Sequence, residues 1–125
     1  SNIRLFESNW AGEPQVIRFS DHRFQEYGTG GSSDATLDVG GDGALVRISG
    51  DKKWAYQLDT PYTITANTVL AFTYISNDEG LEHGLGLVTD LSGTPTAAEW
   101  FQVHGTQTSS DAYGNTSFND YDPAW

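Results

Sequence analysis

Cysteine, methionine, basic side chains and long apolar runs are scarce or missing in this sequence. Without cysteine the chain forms no disulfide and binds no metal through thiolates. Only 6 basic residues oppose 17 acidic ones, and the formal net charge at pH 7 is −11. A charge of that sign disfavours nucleic acid and anionic membrane surfaces, because both attract basic patches. Since no apolar stretch approaches the roughly 20 residues of a membrane-spanning helix, we expect neither nucleic-acid binding nor membrane insertion.

Helical periodicity is also missing. No window keeps an apolar period of 3.6 residues for the roughly 10 residues that a helix needs, because Gly, Thr, Ser, Asp and Asn interrupt every pattern. About eight short segments remain, with turn residues every eight to twelve positions. The chain has 125 residues, the size of one domain. The sequence therefore predicts a single all-β domain over residues 1–125, folded as an antiparallel β-sandwich of the jelly-roll kind.

Four segments carry the strand prediction most clearly. Residues 35–40 and 44–50 are joined by a Gly/Asp turn and predict a hairpin. Residues 69–75 form the most hydrophobic run and predict a central strand. Residues 1–7 alternate as a strand does. A terminal strand needs a neighbour, so we expect this one to pair with a strand far away in sequence or with a neighbouring copy of the module.

The stretch 81–107 reads as two strands joined by a polar loop. Because successive side chains of a strand point to opposite faces, its Leu and Phe positions share one face with His83, which we interpret as a core histidine. The opposite face would carry an indole, amides, a carboxylate and bare glycine backbone, which together suit a ring-shaped ligand rich in hydroxyls, such as a sugar. We expect this face to be an outward-looking groove, and its candidate ligand-binding residues are Trp100, Gln102, His104, Glu82, Gly84 and Gly86.

Trp100 is the best stacking candidate among the four tryptophans, because the neighbours on its own face are polar. The alternative is that it packs in the core, which is the commoner fate of any one tryptophan in a small sandwich.

Acidic turns offer a candidate cation site. Carboxylate and carbonyl oxygens are the ligands that Ca²⁺ takes in proteins, and the candidate metal ligands here are Asp90, Asp78 and Glu79. No D-x-D-x-D-G loop is present, and each acid taken singly is also what an ordinary solvated turn contains. Calcium is therefore the one cofactor that the sequence indicates.

Residues 54–121 resemble a known kind of module, through LDTPYTITANTVLAFTY, EGLEHGLGLVTD, WFQVHGTQ and FNDY. The resemblance is to carbohydrate-binding-module-like jelly-roll domains of secreted multimodular bacterial proteins, which include polysaccharide-degrading enzymes and hemolysin-type calcium-binding repeat proteins. It implies an extracellular location and a polysaccharide or cell-surface glycan as partner. In such modules a segment like SNIRLFE is the final strand, whereas here it comes first. The segment is then either an out-of-frame excerpt of a tandem array or a permuted module.

These observations leave three hypotheses about function. The first is a non-catalytic carbohydrate-binding module, stabilised by calcium where the acidic turns bind it. The alternative is a structural or adhesive calcium-binding repeat without a glycan site. The weakest is a polysaccharide lyase, because Gln102-Val103-His104 resembles the Q-[IV]-H strand of one alginate lyase family. The arginine-rich strand of that family is absent here, and the net charge of −11 would repel a polyuronate.

Overall fold

A computed structural model describes residues 3–20, 23–78, 80–91 and 100–107. The predicted all-β class is confirmed for these residues, which form strands and almost no helix. No helix among them has the length and apolar character to cross a membrane. The chain divides into two compact units, Ser1–Tyr74 and Ile75–Trp125. The strands are β1 (Ile3–Glu7), β2 (Gln15–Ile17), β3 (Phe24–Glu26), β4 (Thr36–Gly40), β5 (Leu45–Ser49), β6 (Trp54–Tyr56), β7 (Thr68–Ala71), β8 (His83–Gly86) and β9 (Trp100–His104).

The largest sheet of the first unit has the order β2-β1-β7, and both pairs are antiparallel. β1 is its middle strand, and Leu5, which lies opposite Leu70, is only 2% exposed. Burial of this leucine holds β1 in the sheet, because it removes an aliphatic side chain of the strand from water. The first strand of the chain therefore pairs with a strand that follows it by more than sixty residues.

β7 differs from the expectation for residues 69–75. The strand ends at Ala71 and lies at the edge of its sheet, and Tyr74 and Ile75 are exposed. Hydrophobicity reports how much of a strand's faces is covered, whereas a central position depends on backbone partners along both edges. Within the described residues β7 has only one such partner, β1.

The carboxylate of Glu7 anchors the end of β1. It accepts hydrogen bonds from the hydroxyls of Tyr62 at 3.1 Å, Thr65 at 2.5 Å and Thr68 at 2.6 Å. The Thr65 and Thr68 hydroxyls lower the pKa of Glu7, because they stabilise its ionised form. The adjoining amide of Ser8 donates to the carbonyl of Asn67 at 2.8 Å, so side chain and backbone fasten the same turn.

β4 and β5 form the predicted hairpin, with register pairs such as Val39 with Val46. The turn between them is Gly41–Gly43, in which all three residues have positive φ, including Asp42 at 55°. The turn needs glycine for this backbone conformation, since most side chains avoid it. A second short pair, β3 with β6, covers its aromatic side with Phe19, whose ring centroid is 5.0 Å from that of Tyr56.

Candidate functional site

The second unit contains the β8–β9 hairpin pair, in which a β-bulge decides which residues share a face. Trp100 lies opposite Gly86 and Gln102 opposite Gly84, and residues opposite each other in an antiparallel pair point to the same side. The next pair is His83 with His104, so β9 has one extra residue at this step. Because β8 keeps its alternation and β9 does not, the bulge turns His104 away from the side of Gln102.

Strict alternation predicted that His104 and Gln102 share a face, and this prediction is wrong. It lies beside His83, with ring centroids 5.8 Å apart in an edge-to-face arrangement, and it is only 4% exposed. A one-residue insertion inverts the parity of every position beyond it, which is why a period-two argument fails here. The two imidazoles form a pair within the unit rather than a row with the indole.

Gln102 is fully buried, at 0% exposure, and its amide nitrogen has a clear structural role. It donates to the carbonyl of Gln107 at 2.7 Å and to that of Gly105 at 3.4 Å. These bonds hold the segment after β9 back against the strand. Since both partners are carbonyl acceptors, the NH₂ group must face them, and this fixes the orientation of the whole amide. The amide oxygen therefore points away from the 105–107 segment.

The 105–107 segment is also held from its other side. The amide of Thr106 donates to the carbonyl of Gly80 at 3.1 Å, and the amide of Gln107 donates to that of Leu81 at 3.0 Å. Gly105 permits this close approach, because its φ is 130° and a β-carbon there would collide with the backbone of Leu81. Sequence reasoning missed the role of Gly105, although a glycine directly after an alternating strand is a recognised sign of close backbone approach.

Trp100 is half-buried, and its indole lies over Gly84. A β-carbon on Gly84 would collide with the carbonyl oxygen of Phe101 and come within 2.9 Å of the indole atoms Cε2 and Cζ2. The sequence predicted that Gly84 lines an open groove. In the structure Gly84 instead makes room for the indole of Trp100. Gly86 is exposed directly opposite Trp100 and presents bare backbone beside it.

Two polar atoms on this face are buried without a hydrogen-bond partner among the described residues. They are the indole nitrogen Nε1 of Trp100 and the amide oxygen Oε1 of Gln102. An unsatisfied buried polar group typically costs about 1–3 kcal/mol. One atom only donates and the other only accepts, and they belong to residues two positions apart, about 7 Å along the strand. Hydroxyl groups complement both, because one hydroxyl can accept from the N–H and another can donate to the carbonyl oxygen.

The remaining candidate residues outside β8 and β9 are all acidic. Glu82 is half-buried immediately before β8, next to the backbone of Gly105. Asp90 is exposed after β8, and Asp78 is exposed in a turn where its backbone bonds to the hydroxyl of Ser76. Glu79 lies outside the described residues. In the described ranges, no three His, Asp or Glu side chains come together as a metal site would require.

Comparison with known proteins adds no relative. No protein-family model, no curated protein and no solved structure matches this chain. The chemistry of the Trp100–Gln102 face is therefore the basis for interpreting the site.

Proposed function

We propose that this chain is a non-catalytic carbohydrate-binding module, an antiparallel β-sandwich of the jelly-roll kind from an extracellular bacterial protein. Its partner would be a polysaccharide or a cell-surface glycan. The observation that carries the proposal is the buried donor and acceptor pair, Trp100 Nε1 and Gln102 Oε1, beside a half-buried indole. Carbohydrates present neighbouring hydroxyls next to an apolar ring face, which is the complement of that pair.

Gly86 provides the approach to the indole. It is exposed, it lies directly opposite Trp100, and it has no side chain to cover the neighbouring ring edge. Because Trp100 Nε1 and Gln102 Oε1 are both buried, a sugar hydroxyl that approaches over Gly86 reaches them only when the indole edge moves aside on binding. Because hydroxyl hydrogen bonds are exchanged with water, each bond contributes about 0.5–1.5 kcal/mol, and the affinity for one sugar ring is modest.

The charge of the chain selects among glycans. A net charge of −11 repels polyuronates and sulfated polysaccharides at low salt. Among the described residues, neither of the two unsatisfied atoms has a cationic partner, so the site offers an uncharged donor and an uncharged acceptor. The glycan is therefore proposed to be neutral, which also argues against a uronate-cleaving enzyme.

A glycan array followed by isothermal titration tests the proposal with a pair of matched variants. Trp100→Phe keeps a six-membered aromatic ring and removes the five-membered ring of the indole together with its N–H, which is proposed to bond to the ligand. Trp54→Phe is the control, because its Nε1 is also buried without a partner in the described residues but lies on β6. We expect Trp100→Phe to weaken binding about 3- to 10-fold, the equivalent of one hydrogen bond, and Trp54→Phe to leave it unchanged.

A second variant tests the geometry rather than the N–H group. Gly84→Ala places a methyl group against both the carbonyl oxygen of Phe101 and the indole, whereas Gly40→Ala adds one at an ordinary contact distance, 3.7 Å from Leu45 Cδ2. Only the change at residue 84 should weaken glycan binding. If the wild type binds no neutral glycan, or if all four variants bind as the wild type does, the proposed site is wrong.

A further inference from the structure

Trp10 is the most exposed tryptophan in the described part of the chain, at 65%. Its six-membered ring lies directly against Gly12, where a β-carbon would collide with three ring atoms. The ring therefore rests against the backbone at Gly12, while most of the side chain stays open to solvent. A single exposed apolar side chain is common on protein surfaces. The distinctive feature here is a glycine that lets the ring lie against the backbone.

The backbone that carries Trp10 is held firmly. Its amide donates to the carbonyl of Glu7 at 3.1 Å, which closes the turn after β1. The side chain of Glu7 is in turn bound by three hydroxyls from residues 62–68. A support that is ordered before binding loses little conformational entropy when a ligand arrives. The indole is therefore a pre-organised surface rather than a loose side chain.

The surroundings of the ring indicate the ligand class. Asn9 precedes Trp10 directly and Glu13 follows it by three residues, and both are exposed, so an amide and a carboxylate lie near the ring in sequence. The acidic balance of the chain disfavours an anionic membrane surface at this position. A flat apolar face with a polar rim matches a pyranose, whose C–H face stacks on indole while its hydroxyls bond to amides and carboxylates.

We propose that the Trp10–Gly12 surface is a second carbohydrate-binding site, which stacks one pyranose ring of a neutral glycan. The inference rests on the proposed glycan-binding function but not on the Trp100–Gln102 face, since Trp10 belongs to the first unit. A module with two such sites binds a polymer more tightly than it binds a single sugar, because the second contact becomes intramolecular wherever one chain reaches both.

The experiment measures binding of cellohexaose, xylohexaose, mannohexaose and chitohexaose by isothermal titration. Trp10→Ala removes the ring, and Gly12→Ala keeps the ring but forces it off its support. Gly40→Ala is the matched control. Both changes at the site should reduce affinity about tenfold, in the wild type and equally in a Trp100→Phe background, with the control unchanged. In addition, the bound oligosaccharide should protect Trp10 from acrylamide quenching in the Trp54→Phe, Trp100→Phe, Trp125→Phe protein, where it is the only tryptophan of the sequence.

The outcomes separate the two sites. If the changes at Trp10 and Gly12 reduce binding while Trp100→Phe does not, the second site stands and the Trp100–Gln102 site fails. If only Trp100→Phe reduces binding, the present inference is wrong and the first site stands. Melting curves identify any variant that is unfolded, and the quenching measurement then decides, because unchanged quenching with saturating oligosaccharide contradicts stacking on Trp10.

Discussion

The amide of Gln102 is expected to hold the end of β9 in place, and Gln102→Leu tests this role. The substitution keeps a side chain of similar length in a fully buried position and removes both amide hydrogen bonds. The carbonyls of Gly105 and Gln107 then lose their donor. The change also removes the amide oxygen that has no partner among the described residues, which offsets part of the loss.

The magnitude follows from the geometry. The bond to Gln107 is short, 2.7 Å, and is worth about 1 kcal/mol, whereas the bond to Gly105 is long, 3.4 Å, and contributes less. Leaving a buried carbonyl unsatisfied costs roughly 1 kcal/mol or more of stability. Removal of the amide oxygen that has no partner, together with the new apolar contact of the leucine, offsets a similar amount. We therefore expect the free energy of unfolding to fall by about 1–2 kcal/mol. For a chain of this size that corresponds to a fall in Tm of roughly 4–8 °C.

Thermal unfolding followed by circular dichroism measures the global effect, and hydrogen exchange measures the local one. The amides of Thr106 and Gln107 donate to Gly80 and Leu81, so their exchange should accelerate when the segment loosens. Gln15→Leu on β2 is the control, because that glutamine is exposed and its replacement should change stability by less than about 0.5 kcal/mol. A Gln102→Leu protein with wild-type Tm and wild-type exchange at residues 106 and 107 would refute the reasoning.

Two further predictions concern pH and metal. The threonine hydroxyls lower the pKa of Glu7, so their contribution to stability is complete above the unfolded-state pKa near 4.5 and is lost as the pH falls through the lower folded-state pKa. Urea unfolding at pH 7 and pH 3 should therefore show a smaller fall in the free energy of unfolding for Glu7→Gln than for the wild type. Equal falls in the two proteins would contradict this assignment. Calcium, if it binds through the acidic turns, should raise the melting midpoint relative to chelator, and Asp90→Asn should reduce the rise. Identical midpoints with calcium and with chelator would remove the metal from the proposal.

The hairpin of β4 and β5 and the strand β9 show what local pattern can predict. The turn at Gly41–Gly43 has positive φ at each position, and glycine and aspartate are among the few residues that adopt it. The turn could therefore be predicted from the sequence. The bounds of β9 follow from its alternation up to the glycine at 105. Its bulge does not, because the extra residue is defined only against the opposite strand, β8.

The ligand-binding candidates show the same division. Side-chain chemistry indicated Trp100 and Gln102 together, and their positions two apart on one strand keep them on one face. The sequence could not predict that Gln102 is buried and that its amide nitrogen donates hydrogen bonds to the carbonyls of Gly105 and Gln107. That role depends on a chain reversal after the strand.

By itself, then, the sequence determined the β class, the tight turn at 41–43 and the polar chemistry of β9, because each depends on the conformational preferences and alternation of neighbouring residues. Only the tertiary structure decided that β1 is the middle strand of its sheet, that His104 pairs with His83, and that Gly84 supports an indole. These features depend on register and on contacts between residues distant in the chain, and a shift of one position in register exchanges one face of a strand for the other.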